Sequence, residues 1–330
     1  MLALIGAYST KTEIINMQSE SKQLTSLEKM MGREHAQAIC YSGYRDGQNP
    51  RLGIYPSYAE IKEDLLLLKN WSYLRVYDCS QHAETVLEVI KKEKLDFVLM
   101  LGVDIAAEVS NPNCPWGADY SDEQLEQNRQ ANDEDIERLI ALSNRYPEYV
   151  RSVSIGNEAS VDWTDHIVPV ERLIEFAKRI KSKIDVPVTF CENYVPWTNK
   201  LAPLVAELDF ISIHTYPVWE YQSIENALEY TKQNYYSVQH CHPDVPIVIT
   251  EAGWTTQSNG CGIEKWNASD ALQAEYYQQL LSWTNSEKIL TFVFEAFDEP
   301  WKGSDDPQEP EKHWGLFYVD RRPKLVLQNT

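Results

Sequence analysis

The 330-residue sequence lacks several features that would point to particular classes of protein. No apolar run approaches the roughly 20 residues that a membrane-spanning helix needs, so no span is expected. The six cysteines have neither CxxC nor zinc-ligand spacing, so no metal site is expected. Basic residues are few: 30 Lys and Arg against 50 Asp and Glu give a formal charge of −20. This charge disfavours nucleic acid and anionic membranes as partners, and a neutral substrate fits it better.

The first 36 residues show no pattern that predicts a folded element. Met1–Tyr8 is apolar, but it is shorter than a signal-peptide core and lacks a basic leader and a cleavage site. The polar residues that follow have no regular spacing of apolar side chains. We therefore predict a loosely ordered leader over residues 1–36 and one folded domain over residues 37–330, without a clear signal peptide.

From Ala38 onward, short apolar runs alternate with longer amphipathic segments, which is typical of β-α units around a parallel sheet. Strands are predicted at Ala38–Tyr44, Leu74–Tyr77, Asp96–Gly102, Arg151–Gly156, Pro187–Cys191, Phe210–His214, Pro246–Thr250 and Thr291–Ala296. Helices are predicted at Ala59–Lys69, Glu84–Lys94, Asp122–Asn144, Val170–Lys183, Asn199–Leu208, Ser223–His240 and Ala268–Asn285, with Ser121 and Ser223 as N-caps.

This alternation predicts an α/β fold, a single-domain (β/α)8 TIM barrel. An open doubly wound sheet is the alternative fold. It is disfavoured because the segment after the first strand, Tyr41–Gly47, is not a glycine-rich phosphate loop.

Two glutamates fall at predicted strand ends. Glu158 ends the fourth strand in Ser-Ile-Gly-Asn-Glu, and Glu251 ends the seventh in Ile-Thr-Glu-Ala-Gly-Trp. In barrels of this kind the chemistry lies at the carboxyl ends of the strands. Two carboxylates facing each other are what glycosidic bond cleavage requires, and a separation of about 5–5.5 Å implies a retaining mechanism.

At these motifs the chain resembles glycoside hydrolase family 17, the β-1,3-glucanase family of (β/α)8 retaining glycosidases. The similar stretches are Ile39–Tyr44, Leu74–Tyr77, Val153–Glu158, Ile249–Trp254 and Phe297–Lys302, the last of which resembles the family's Phe-Asp-Glu-x-x-Lys. The resemblance implies Glu158 as acid/base, Glu251 as nucleophile and Asn157 as hydrogen-bond donor to the sugar 2-hydroxyl. It also implies that Tyr216 bonds the nucleophile.

Further residues matched by the resemblance are Tyr41 near the cleavage point, Arg75 as a source of positive field, and the supporting ion pair Glu299 and Lys302. Simpler interpretations remain for some of these: Asn157 as a helix cap, Arg75 as a structural salt-bridge residue and Tyr41 as core filling. His214 is predicted to lie inside the barrel without a catalytic part, because no Ser or Cys nucleophile accompanies it.

Most tryptophans follow predicted strands. Those in such loops are Trp116, Trp163, Trp197, Trp219, Trp254, Trp266, Trp301 and Trp314. An exposed indole offers an apolar face for a pyranose ring and a hydrogen-bond donor, which favours a sugar-binding surface. Of these we predict Trp254 and Trp301 as substrate-binding residues.

The sequence thus predicts a retaining glycoside hydrolase that cleaves β-1,3-glucan of the laminarin type. A β-1,3-glucanosyltransferase using the same two glutamates is the first alternative, and a non-catalytic glucan-binding protein is the second. We expect no metal and no cofactor, because two carboxylates suffice for the chemistry. The expected partner is a β-glucan, the expected state is a monomer, and a secreted, periplasmic or cell-surface location follows from the polymer lying outside cells.

Overall fold

The computed structural model describes residues 37–328, where eight parallel strands form one closed barrel in chain order. The strands are β1 (Ala38–Cys40), β2 (Tyr73–Val76), β3 (Val98–Leu101), β4 (Val150–Asn157), β5 (Val188–Asn193), β6 (Ile211–Thr215), β7 (Ile247–Ala252) and β8 (Thr291–Val293). The first strand pairs with the second and the last, since Ala38 lies opposite both Tyr73 and Phe292. This closure confirms the predicted TIM barrel, while the predicted leader lies outside the described residues.

Helices cover the outside of the barrel. They are α1 (Tyr58–Leu67), α2 (Gln81–Glu93), α3 (Asp122–Arg145), α4 (Val170–Lys181), α5 (Tyr194–Trp197), α6 (Ala202–Val205), α7 (Ile224–Cys241) and α8 (Asp270–Glu287). In α4 the buried side chains Leu173, Phe176, Ala177 and Ile180 recur at the spacing that places them on one face of a helix. That apolar face packs against the strands, so the sequence pattern and the packing agree.

The two predicted N-caps differ in the structure. Ser121 caps α3, and its hydroxyl accepts a hydrogen bond from the backbone N–H of Gln124 at 3.2 Å. Ser223 precedes α7 as predicted but makes no capping bond with its side chain.

The predicted helix Asn199–Leu208 is wrong. Two helices of four residues, α5 and α6, take its place after β5. Pro203 lies in the first turn of α6 and has no N–H to donate. A longer helix from Asn199 would need that N–H for its first bond, so the chain stops and restarts.

The barrel interior carries polar as well as apolar side chains. Buried polar residues on the strands include Arg75, Thr189, Ser212, His214 and Glu251. All six cysteines are within the described residues and are unpaired. Within residues 37–328 no helix combines the length and apolar character needed to cross a membrane.

Candidate active site

The two predicted glutamates lie at the carboxyl ends of β4 and β7. Glu158 directly follows β4, and Glu251 is the penultimate residue of β7. Glu158 has a φ of 46°, a left-handed conformation that is uncommon for a residue with a side chain and recurs at functional positions. A carboxylate oxygen of Glu158 and one of Glu251 lie within 4.8 Å of each other. The barrel therefore brings the two carboxylates together.

Glu251 is buried and accepts hydrogen bonds on both oxygens. The Arg75 guanidinium and the Tyr77 hydroxyl donate to Oε1, the latter at 3.0 Å, and the Tyr216 hydroxyl donates to Oε2. Burial alone would raise the pKa of this carboxyl, but the charges of His214 and Arg75 and the bond from Tyr216 lower it to about 2. Glu251 is therefore ionised at neutral pH.

His214, in β6, lies between the two glutamates. Its Nδ1 is 2.7 Å from Oε1 of Glu158 and 3.4 Å from Oε2 of Glu251, and its side chain is fully buried. Burial lowers the pKa of this imidazole, but the charge of Glu251, the thiol of Cys191 and the carboxylate of Glu158 raise it to about 10. His214 is inside the barrel as predicted, but it contacts both glutamates, which the sequence interpretation missed.

Asn157, the last residue of β4, is held at two points. Its side-chain Oδ1 accepts a hydrogen bond from Arg75, and its backbone oxygen is 2.9 Å from Nε2 of His166. The next helix, α4, begins only at Val170, so Asn157 does not cap a helix. Among residues 37–328 its amide nitrogen has no bonded partner and remains available as a donor.

Lys302 forms the predicted ion pair and a second one. Its Nζ is 2.9 Å from Glu299 and 2.7 Å from Glu295. Burial lowers the pKa of Lys302, but these two carboxylates outweigh burial and hold the pKa above its usual value. Glu299 also accepts hydrogen bonds from the Ser42 hydroxyl at 2.6 Å and from the Tyr44 backbone N–H at 3.2 Å. The network therefore ties the loop after β8 to the loop after β1.

Trp301 is partly exposed and packs edge-on against Tyr44, with ring centroids 5.9 Å apart. In the described part of the chain, neither the Trp301 indole N–H nor the Tyr44 hydroxyl has a hydrogen-bond partner, although both atoms are buried. Buried polar groups are nearly always bonded, so these two unbonded atoms are exceptions in the loops after β1 and β8.

Two of the predicted substrate-binding residues are closed to substrate. Tyr41 is 0% exposed, and its hydroxyl is 3.3 Å from Asp64. Trp254 is 1% exposed and donates from Nε1 to the backbone oxygen of Asn267 at 2.8 Å. A side chain without exposed surface cannot touch a sugar, so both assignments are wrong and these residues fill the core.

Arg75 and Glu299 are likewise buried, so neither has exposed surface with which to contact a substrate. Arg75 bonds Glu251 and Asn157, and Glu299 bonds Lys302. Each of the two therefore acts on other side chains of the site.

The six remaining loop tryptophans differ in exposure: three are exposed, Trp219 is partly buried, and two are buried. Trp116, Trp163 and Trp266 are 65%, 43% and 68% exposed in the loops after β3, β4 and β7. Trp197 and Trp314 are buried. Three of the loop tryptophans therefore expose indole surface in loops at the carboxyl ends of the strands, and the sugar-binding surface stays a prediction.

Sequence reasoning missed two polar residues for which a signal existed. Tyr77 is two positions after Arg75, and His214 is two positions before Tyr216. Because successive side chains of a strand alternate between its faces, residues two apart share a face. If Arg75 and Tyr216 face the site, the same alternation predicts that Tyr77 and His214 face it too.

Three further carboxyls near the site had no such signal. Glu192, at the end of β5, accepts hydrogen bonds from the backbone and hydroxyl of Ser160 at 2.8 and 2.7 Å and so holds the loop that follows Glu158. Burial and the Glu158 charge raise the pKa of Glu192 to about 7. The other two are Glu295, bonded to Lys302, and Glu311, whose pKa burial raises to about 7.

One group of side chains in residues 37–328 is compact enough to hold a metal ion. It consists of Glu158, His214 and Glu251, whose potential ligand atoms lie within 4.8 Å of one another. His214 already bonds Glu158, and the Arg75 cation lies against Glu251. A metal ion would be repelled by the positive charges of His214 and Arg75, so we assign no metal to the site.

This geometry defines a class of protein. In this TIM barrel the fourth strand presents a partly exposed carboxyl, and the seventh strand presents a buried, ionised carboxylate beside it. That is the arrangement of a glycoside hydrolase. The sequence profile of the BtgE/BtgC glycoside hydrolase domain matches residues 38–315. The chain belongs to this family and is a glycoside hydrolase.

The chain is also similar to individual proteins. A glucan 1,3-β-glucosidase of Schizosaccharomyces pombe is 24% identical over all of this chain and 94% of its own length. The Aspergillus niger protein btgC, named as a glucan endo-1,3-β-glucosidase, is 28% identical over 82% of this chain, which spans only 40% of that longer protein.

Solved structures show the same barrel. The crystal structure of an endo-laminarinase from Formosa Hel1_33_131 superposes with a TM-score of 0.75 and 26% identity over 92% of this chain and 88% of that one. A β-1,3-glucanosyltransferase of Rhizomucor miehei gives a TM-score of 0.68 at 22% identity over 88% of this chain and 96% of its own, a likeness of fold alone.

Proposed function

We propose that this glycoside hydrolase cleaves β-1,3-glucan of the laminarin type with retention, as a member of glycoside hydrolase family 17. The observation that carries the proposal is the carboxylate pair, with one oxygen of Glu158 and one of Glu251 within 4.8 Å of each other. Retaining glycosidases hold their carboxyl groups about 5–5.5 Å apart, whereas inverting enzymes need about 6.5–9.5 Å to admit a water. The short separation favours direct attack by a carboxylate.

In this proposal Glu251 is the nucleophile. A nucleophilic carboxylate must be ionised before substrate binds. The cations of His214 and Arg75 and the hydroxyls of Tyr77 and Tyr216 stabilise that ionised form. Formation of the glycosyl-enzyme then neutralises Glu251, and attack by water releases the sugar from it.

Glu158 is the proposed acid/base. It is partly exposed, as a residue that protonates a leaving group and then activates water must be. Asn157, immediately before it, has its side-chain oxygen bonded by Arg75. The amide nitrogen is thereby left to donate to the sugar 2-hydroxyl, a contact that strengthens in the transition state.

The proposed substrate class follows from the relatives and the cleft. The Schizosaccharomyces pombe relative is a glucan 1,3-β-glucosidase and the Formosa relative is an endo-laminarinase. Trp301 offers a partly exposed indole in the loop after β8, and Lys302 lies beside it. The formal charge of −20 suits a neutral polymer.

Proton NMR during the first minutes of reaction with laminari-oligosaccharides tests the proposal. We expect the β-anomer of the product to appear before mutarotation, and no product from the Glu251→Gln variant. Early release of the α-anomer would contradict retention, and cleavage of a β-1,4- or β-1,6-glucan in preference would contradict the linkage. Products longer than the substrate would identify the enzyme as a glucanosyltransferase that uses the same intermediate.

We further propose that the enzyme acts outside the cytoplasm, because its polymeric substrate lies there, and that it does so as a monomer. The support is chemical, because a polysaccharide does not cross a cell membrane unaided. Fractionation of cells that carry the full-length protein tests the location, and light scattering tests the monomeric state.

A further inference from the structure

We propose that His214 is a positioning residue whose imidazolium stabilises each glutamate in turn: Glu251 before the glycosyl-enzyme forms, and Glu158 after it has formed. The inference deepens the proposed function and rests on it. The sequence had predicted His214 to lie inside the barrel without a catalytic part.

The geometry allows one N–H to serve both carboxylates. Nδ1 of His214 is 2.7 Å from Oε1 of Glu158 and 3.4 Å from Oε2 of Glu251. The ring is fully buried, and its position in β6 places it between β4 and β7 at the carboxyl-end rim. A proton on Nδ1 therefore lies between the two reacting groups, and no bulk water screens its charge.

The charged and titratable groups around His214 act on its protonated form with opposite signs. Glu158 after β4, Glu251 in β7 and Cys191 in β5 favour it. The Arg75 cation on β2 opposes it, and Tyr77 after β2 and Tyr216 after β6 are neutral donors to Glu251. Glu158 and Glu251 are the groups that approach Nδ1 within hydrogen-bonding or ion-pairing distance. Burial opposes the imidazolium, but the pKa of about 10 keeps it charged through the acidic and neutral range.

The charges balance through the reaction. In the first step the C1–O bond breaks, the proton of Glu158 passes to the leaving oxygen, and an oxygen of Glu251 bonds C1 as a neutral ester. In the second step Glu158 takes a proton from water, the water oxygen bonds C1, and Glu251 leaves as a carboxylate. At each resting stage one of the two glutamates is charged, so His214 keeps its proton and always faces one carboxylate.

Arg75 cannot replace His214 in this part. Arg75 bonds Glu251 and Asn157, and none of its hydrogen bonds reaches Glu158. Two carboxylates this close repel each other when both are ionised, and a cation near both lowers that cost. His214 is the cation that contacts both.

The test is the pH profile of kcat/KM for the wild type and for His214→Gln, with a laminari-oligosaccharide that carries a chromogenic phenol. Loss of a charge within about 4–6 Å should move a carboxyl pKa upward by about 1–3 units. In this mechanism Glu251 sets the acid limb of the profile and Glu158 sets the alkaline limb. We expect both limbs to shift to higher pH, because both glutamates lose the same cation. Tyr216→Phe is the matched control: it removes a neutral donor from Glu251 alone and should shift only the acid limb.

A uniform fall in kcat/KM without a shift of either limb would mean a structural role for His214 and would overturn the inference. A second measurement needs no variant: nitrogen-15 NMR of histidine in the wild type should show His214 as imidazolium at pH 7, and a neutral ring would overturn the inference equally. Failure of the wild type to cleave any β-1,3-glucan would instead overturn the proposed function, while the NMR result still reports the charge of His214.

Discussion

At the residue scale, two glutamates of the same chemistry occupy different environments. Glu251 is buried and surrounded by donors, which lowers its pKa to about 2 against an ordinary value of 4.5. Glu158 is partly exposed and bonds His214 through one oxygen, so its other oxygen can face the cleft. Such unequal environments are what divides the parts of nucleophile and acid/base between two carboxyl groups.

The part of Glu158 can be tested by its dependence on the leaving group. We expect Glu158→Gln to lower kcat/KM for unmodified oligosaccharides by about 10²–10⁴-fold, the usual contribution of a general acid. With a dinitrophenyl leaving group, which needs no proton, the loss in kcat/KM should be much smaller. Equal losses on both substrates, measured by initial rates, would argue against a proton donor at this position.

Trp301 and Trp254 form a matched pair of substitutions. Trp301→Phe removes part of a partly exposed indole at the rim, so KM should rise several-fold while stability changes little. Trp254→Phe removes a buried bond to Asn267 and should lower the free energy of unfolding by about 1–3 kcal/mol without affecting KM. Enzyme kinetics and urea unfolding on both variants measure this, and a KM effect from Trp254 would contradict its assignment to the core.

At the scale of elements, the loops after the strands carry the chemistry and the strands fix where each loop begins. Gly253, directly after β7, lets the backbone pass close to Phe294, which directly follows β8. A Cβ added at Gly253 would lie 2.1 Å from the backbone oxygen of Phe294. Glu192 at the end of β5 holds the loop beyond Glu158 through Ser160. Neighbouring strand ends thus brace each other at the rim.

The helix caps provide a comparison within one chain. Ser121→Ala removes a side-chain bond to the first turn of α3 and should lower the free energy of unfolding by about 1 kcal/mol. Ser223→Ala, before α7, removes a hydroxyl that makes no capping bond and should cost clearly less. Urea denaturation of both variants measures the difference, and equal losses would contradict the capping geometry.

At the scale of the whole molecule, the buried charges couple stability to pH. The stabilising effect of Glu251, with a pKa of about 2, is complete above pH 4.5 and is lost as the pH falls towards 2. The effect of His214, with a pKa of about 10, is complete below pH 6.5 and is lost as the pH rises towards 10. Glu192 has a pKa of about 7 in the folded protein, against 4.5 in the unfolded chain. Between these pH values the folded state keeps a proton that the unfolded chain releases, so the free energy of unfolding falls as the pH rises from 4.5 to 7.

We therefore expect the melting temperature to be highest in weakly acidic solution, near pH 4.5 to 5, and to fall on both sides. Glu192→Gln should flatten the decline between pH 4.5 and 7 and leave the acid side unchanged. Thermal unfolding from pH 3 to 10 tests this, and a maximum at pH 8 would contradict the charge assignments.

The sequence by itself determined the order of the elements and the positions of the two glutamates. Eight strands and most helices follow from apolar periodicity, because each strand or helix buries a face and that face is encoded locally. Glu158 and Glu251 stand out because each ends such a strand. Those features need only residues that are near one another in the chain.

Only the tertiary structure decided which side chains are open and which meet. Trp254 and Trp301 both follow strand ends, yet the first is enclosed by α8 and the loop of Asn267 while the second remains accessible. The contact of His214 with both glutamates joins three strands, and its distances depend on how the barrel closes and how the strands are staggered. No local pattern encodes that stagger, because it is a property of all eight strands together.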